Sequence, residues 1–461
     1  MDERVVLRAT DPATGRVVRE VLPVSDAEVE RRLALAAEAF RSWRRTSFAE
    51  RAAVLRRVAA AMRDDVERLA LLMTEEMGKP IREARGEVEK SAWCAEHYAE
   101  HAEAYLARQE LPSDASSSYV QYLPLGPLLG ILPWNAPFWL AFRFCAPALM
   151  AGNTCLVKHD PHVPGCAQAI GELFAAAGVP EGILQDLPLE TPRVERVIRD
   201  PRIQAVSFTG SERGGAAVAA IAASEVKHAV LELGGSDPCL VFADADLEKA
   251  ADVITLSRII NAGQSCIAAK RVLVEEPVYD EMLGLLEQRF ARLRVGDPRS
   301  EDTDVGPIAR AELRDNLHRQ VRESIDAGAR CLLGGEMPEG DGYYYPVTLL
   351  ADVEPSMTAG CEETFGPVGA VLRGAGEADM LRVANDTPYG LAASLWTDTA
   401  RAEALAAELD TGQVAINGIV KTDPRLPSGG VKRSGYGREL GPHGIHEFVN
   451  AQQVWVGPAR G

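Results

Sequence analysis

The sequence predicts an α/β fold built on parallel sheets, and two observations support this. From Gly126 onward, short apolar strands alternate with helices: GILPW, a helix through 141–151, TCLVKHD, a helix over 165–177, AVSFTGS, a helix after Ser211, then HAVLELGG. Such repeated alternation predicts a parallel sheet covered on both faces. A second alternating region begins with PCLVF (238–242), with helices near 247–260, 277–293 and 309–327 and strands around 271–274, 369–372 and 414–417. The first hundred residues, by contrast, read as mainly helical.

The elements can be justified in order. Ser25-x-x-Glu28 and Ser47-x-x-Glu50 both read as capping boxes, each opening an amphipathic run rich in Ala, Leu and Arg. The second run ends near Met77-Gly78-Lys79-Pro80, and a third helix follows over 80–107. The segment SSSYVQYLPL (116–125) changes composition and reads as strand, with a protruding hairpin as one form. The C-terminal FVNAQQVWVG reads as an edge strand. An apolar edge at a chain end invites aggregation unless another subunit covers it, which predicts a homodimer or homotetramer.

Bulk properties narrow the class. A chain of 461 residues predicts two or three domains. Its 46% hydrophobic and 25% charged residues fit a globular protein with a substantial core. A net charge of −18 argues against nucleic acid or an anionic membrane as the main partner. No run reaches the roughly 18–20 apolar residues of a membrane span, and the start MDERVVLRATDP lacks an apolar leader, so a cytoplasmic location is expected. Eight cysteines without a C-x-x-C pair or a Cys/His cluster predict reduced thiols and no metal site.

Two segments carry chemistry. VLELGGSD (230–237) places Glu232 just before a Gly-Gly turn, and NAGQSCIAAKR (261–271) places Cys266 in a loop of small and polar residues. A carboxylate base and a thiol nucleophile together suggest covalent catalysis. Each also has a plain structural reading, as a strand end or a small buried hydrophobe. A helical turn over 267–270 would let its amides favour the thiolate. Asn135, in the Pro-flanked loop LPWNAP (132–137), can donate to a developing oxyanion. The dinucleotide fingerprint G-x-G-x-x-G is missing. In its place SFTGS (207–211), with Gly210 and Ser211, leads into a helix holding Gly215, whose start can bind a pyrophosphate.

Taken in order, seven motifs make the chain resemble the aldehyde dehydrogenase superfamily over nearly its whole length. They are PWNAPF (133–138), GN-x-x-L-V-K (152–158), FTGS-x-x-x-G (208–215), LELGGSDP (231–238), G-Q-x-C (263–266), EETFGP (362–367) and SGGVKRSGYGRE (428–439). Glu232 precedes Cys266 by 34 residues, and Glu363 follows it by 97. The resemblance implies a Rossmann-like cofactor domain (1–106 and 125–234), an α/β catalytic domain (235–436), and a small β oligomerisation element (107–124 with the tail 437–461). It implies that Cys266 attacks an aldehyde, that Asn135 and the Cys266 amide hold the oxyanion, and that Glu232 activates the hydrolytic water. A retained Glu232 favours release of a free acid over transfer to coenzyme A. Lys158 would contact the adenine ribose and Glu363 the nicotinamide ribose. Phe365 would pack near the ring, and Ser211 and Trp134 would line the cofactor path.

Three departures stand out. Pro161 occupies the place where many NAD-preferring relatives carry a Glu, so NADP is tolerated and the choice between NAD and NADP stays open, with Asp160 adjacent. Ser428 replaces a Phe before the C-terminal glycines, which would open the substrate mouth. A single cysteine in the nucleophile loop excludes a disulfide within it. Within PFWLAFRFCAPALM (137–150) Arg143 is the one charge, either salt-bridged or facing a substrate carboxylate. Together with K-H-x-P and the stretch 421–440, Arg143 resembles the short succinate-semialdehyde dehydrogenase branch, in which Arg143 and Thr422 would grip a distal carboxylate. The expected function is oxidation of succinate semialdehyde to succinate. Broader aldehyde specificity, a non-catalytic binding protein on the same scaffold, and a cofactor-free thiol hydrolase are the alternatives.

Overall fold

The computed structural model describes residues 6–458. The start MDERV and the last three residues of the tail, 459–461, lie outside it. The first large sheet has six strands in the order Leu184–Asp186, Thr154–His159, Pro127–Leu132, Ala205–Thr209, His228–Glu232 and Gly435–Tyr436. The first five run parallel, and the last is antiparallel to its neighbour. Along the chain these five follow the order third, second, first, fourth, fifth. The order therefore reverses between Pro127–Leu132 and Ala205–Thr209. A crevice forms beyond the carboxyl ends of strands at such a reversal, and ligands bind there.

The second large sheet has seven strands: Arg330–Leu333, Thr348–Ala351, Val368–Gly374, Arg271–Glu275, Pro238–Val241, Ala392–Trp396 and Gln413–Ile416. All pairs but the first are parallel. The expected α/β architecture is thus present. The central strands Pro127–Leu132 and Pro238–Val241 are buried at every position, as strands covered by helices on both faces must be. The helix Pro137–Met150 is buried at all 14 positions, Arg143 included.

Local differences have local causes. The second helical run is two helices, Phe48–Asp64 and Val66–Met77, which break at Asp65. Ser47 and Glu50 complete both halves of a capping box. Ser25 completes only one, because Arg31 and Arg32 draw the Glu28 carboxylate away at 2.8 and 2.7 Å. A hairpin of Leu7–Asp11 and Arg16–Val21 precedes the helices. The C-terminal strand Val449–Val456 pairs antiparallel with Ser117–Pro124 of its own chain, and Gln109–Glu110 pairs on the far side of Ser117–Pro124. Among the described residues, no helix is long and apolar enough to cross a membrane.

Candidate active site

A cavity of ≈1240 Å³ opens at the reversal point of the six-stranded sheet. Asn135, Glu232 and Cys266, far apart in sequence, share its wall. So do the expected cofactor residues Trp134, Lys158, Gly210, Ser211, Glu363 and Phe365, and the expected substrate residues Arg143 and Thr422. Gly215 and Pro161 are not on the wall. Gly215 instead allows a helix to sit on a strand end, since a Cβ there would meet Leu233 Cδ2 at 2.5 Å.

The nucleophile loop is held by its backbone. After the helix Leu247–Ile259, Asn261, Ala262 and Gly263 are left-handed in succession, with φ of 56°, 53° and 75°. Two non-glycine residues in that region cost about 1–2 kcal/mol each, so the surroundings must hold them there. Glu83 accepts from the Asn261 amide at 2.7 Å, and Arg258 donates to Gly263 O at 2.7 Å. A Cβ on Gly263 would stand 2.3 Å from Gly366 O.

Cys266 lies in a turn, and 267–270 do not form the expected helix. Helix amides therefore do not favour the thiolate. Burial pushes the thiol up to about 12, opposed by the charges of Lys270 and Arg143. Lys270 donates to Ser265 O at 2.9 Å and to Cys266 O at 2.5 Å.

Asn135 donates through Nδ2 to Gln264 O at 3.1 Å, which leaves its second N–H for another acceptor. Its backbone oxygen accepts from Lys79 and from Asn261, both at 2.9 Å, fixing this loop to the nucleophile loop.

Glu232 ends its strand and is 5% exposed. Burial raises its carboxyl to about 7, with Arg143 opposing the rise. Among the described residues its Oε1 has no hydrogen-bond partner, and its Oε2 lies 3.3 Å from Arg143 Nη2. Arg143 also contacts Glu439 Oε2 at 2.5 Å, so the salt-bridged reading of this arginine holds in the structure. Ser428, expected at the substrate mouth, is buried. It is 2% exposed, off the cavity wall, and exchanges backbone hydrogen bonds with Glu439 at 2.7 and 2.8 Å.

The residues around the crevice fit a dinucleotide. Ser211 caps the helix Glu212–Ser224 by accepting from Gly214 N. Thr209 Oγ1, on the same wall, is buried without a hydrogen-bond partner among the described residues. A Cβ on Gly210 or Gly214 would meet Phe208 Cζ at 2.8 or 2.7 Å, so both glycines make room for the Phe208 ring, which lies on the cavity wall. Lys158 is 6% exposed and makes no ion pair among the described residues. Asp160 is occupied by the His162 ring at 2.6 Å and the His162 amide at 3.0 Å. Glu363 accepts from Gly235 N at 3.1 Å and faces Lys270 Nζ at 3.3 Å. The rings of Trp134 and Phe365 meet edge to face at 5.9 Å.

Sequence reasoning missed Lys90, Lys270 and Glu439. Lys270 and Glu439 fall inside quoted motifs, but their partners come from distant segments. Lys90 lies mid-helix in a run of charges and carries no local sign of its place on the cavity.

Comparisons with known proteins give the family and agree with the fold. Residues 2–454 match the Aldehyde dehydrogenase family. A probable succinate-semialdehyde dehydrogenase [NADP(+)] of Synechocystis sp. (strain ATCC 27184 / PCC 6803 / Kazusa) is 46% identical over 98% of this chain and 100% of its own length. The succinate semialdehyde dehydrogenase [NAD(P)+] Sad of Escherichia coli (strain K12) is 46% identical over 96% of each chain. A solved succinic semialdehyde dehydrogenase from Streptococcus pyogenes, in complex with NADP+, superposes with a TM-score of 0.95 at 34% identity, covering 97% of this chain and 99% of that one. The fold and these matches define an oxidoreductase that uses a nicotinamide dinucleotide. The chain belongs to the aldehyde dehydrogenase family.

Proposed function

We propose that the protein oxidises succinate semialdehyde to succinate with NADP or NAD. The observation that carries this reading is one cavity shared by Cys266, Asn135 and Glu232, with Arg143 and Thr422 on the same wall. The names of the relatives point to the same substrate and to both cofactors.

The chain's own groups divide the work. Cys266 attacks the aldehyde carbon and gives up its proton to solvent water in the open cavity as the C–S bond forms, because burial keeps the resting thiol protonated. The second Asn135 N–H and the Cys266 amide donate to the carbonyl oxygen as it gains charge. Lys158, Ser211, Thr209 and Glu363 would hold the dinucleotide, which supplies the hydride acceptor when bound. Glu232, a stronger base than an ordinary carboxylate because burial raises it, takes a proton from the water that attacks the acyl carbon. The C–S bond then breaks and the acid departs.

We also propose a cytoplasmic homo-oligomer. All eight cysteines are free, as in reducing compartments. The edge strand Gln413–Ile416 and the half-exposed Leu111, Trp455 and Val456 are surfaces that a second copy would cover.

A panel of aldehydes assayed with each cofactor tests the reading. Succinate semialdehyde should exceed butanal by ~10²-fold or more in kcat/KM, the scale of a charge-assisted contact of a few kcal/mol. Equal values reject the substrate.

A further inference from the structure

A substrate carboxylate must find positive charge in the cavity, and the arginine assigned to it is already engaged. Arg143 sits between Glu439 at 2.5 Å and Glu232 at 3.3 Å, all three buried. A third carboxylate placed on that guanidinium alone would add another desolvated negative charge beside two acids. A buried anion needs a cation whose charge is not yet answered.

Lys90 has that property. It lies on the helix Ile81–Tyr105 and on the same cavity wall as Arg143, Cys266 and Thr422. Among the described residues it makes no ion pair. Its ammonium donates to Thr422 Oγ1 at 2.9 Å and stands 4.1 Å from the centre of the Trp139 ring. The two carboxylates whose charge reaches it are engaged elsewhere. Glu87 pairs with Lys79 and accepts from the Phe138 and Trp139 amides at 3.0 and 3.1 Å. Asp423 is held by Arg425 at 2.6 Å. Burial, then the charge of Arg143, push the Lys90 ammonium down to about 8, the sign of a cation lacking a counter-charge. Because Thr422 Oγ1 accepts from Lys90, the Thr422 hydroxyl proton is left to donate to a ligand.

We propose that Lys90 is a specificity-determining residue: with Thr422 it forms the subsite for the distal carboxylate and supplies the net positive charge that Arg143, shared by two acids, does not. The inference deepens the substrate reading above and rests on it.

The test compares kcat/KM for succinate semialdehyde and butanal in the wild type, Lys90→Met and Lys90→Arg at saturating NADP. The wild-type preference of ~10²-fold or more should collapse to within ~10-fold in Lys90→Met, chiefly through a higher KM for succinate semialdehyde, while Lys90→Arg keeps more of it. Lys90→Gln, which retains a donor toward Thr422 without the charge, gives the same readout should the Met variant not fold. Equal losses for both aldehydes, or an unchanged ratio, overturn the proposal while the substrate reading stands. A wild type without preference overturns the substrate reading first, and the Lys90 subsite with it.

Discussion

Arg143 and Glu439 form a buried ion pair, Nη2 to Oε2 2.5 Å, directly beside the carboxylate of Glu232. The charge of Glu439 helps raise Glu232, and the charge of Arg143 lowers it. Glu439→Gln removes the first effect and leaves Arg143 to Glu232. The acid limb of the kcat–pH profile should therefore move to lower pH, with kcat on the plateau reduced as the base weakens. A limb that stays in place means that Glu439 does not tune the base.

Asn135 is anchored through one of its two amide hydrogens. Losing the other as an oxyanion donor should lower kcat by about 10²–10³-fold in Asn135→Ala, with the acid limb unmoved. Steady-state rates across pH check this. A loss confined to KM would place Asn135 in ground-state binding.

Pro161 follows Asp160, whose carboxylate is held by His162. Pro161 is off the cavity wall, but Asp160 before it is on it. The longer side chain of Pro161→Glu can therefore bring a carboxylate to that edge, repel a 2′-phosphate and accept from a 2′-hydroxyl. The ratio of kcat/KM for NADP over NAD should fall by about tenfold or more, since even one pK-scale unit of interaction corresponds to that factor. An unchanged ratio would show that position 161 does not face the ribose.

Gly429 has φ +151°, and a Cβ there would stand 2.7 Å from Glu232 Oε1. Gly429→Ala should displace the base, lowering kcat about tenfold or more, and should destabilise the fold by about 1 kcal/mol or more through backbone strain. Thermal unfolding and kcat report the two effects separately. A variant with both unchanged would mean that Glu232 has room the structure does not give it.

Much of this was legible in the residues because motif and topology coincide. Trp134, Asn135, Gly210 and Ser211 follow the two strands at which the sheet order reverses, so strand–helix alternation alone brought them near one crevice. The turn at Cys266 was not legible. IAAK favours a helix locally, but the backbone is set by left-handed residues from Asn261 to Gly263 and by contacts to Glu83 and Arg258 from other helices. The state of Arg143 was equally hidden, because its partner Glu439 lies nearly three hundred residues on. Lys90 shows the general limit: a lysine among other charges gains meaning only when the fold leaves it without a counter-ion.

The central claim is that Cys266 carries the acyl group and Glu232 releases it. Mixing Glu232→Gln with succinate semialdehyde and NADP should give a rapid burst of reduced cofactor approaching one per site, little steady turnover, and a succinyl mass adduct that maps to Cys266. No burst and no adduct, or an adduct on any other residue, would contradict it.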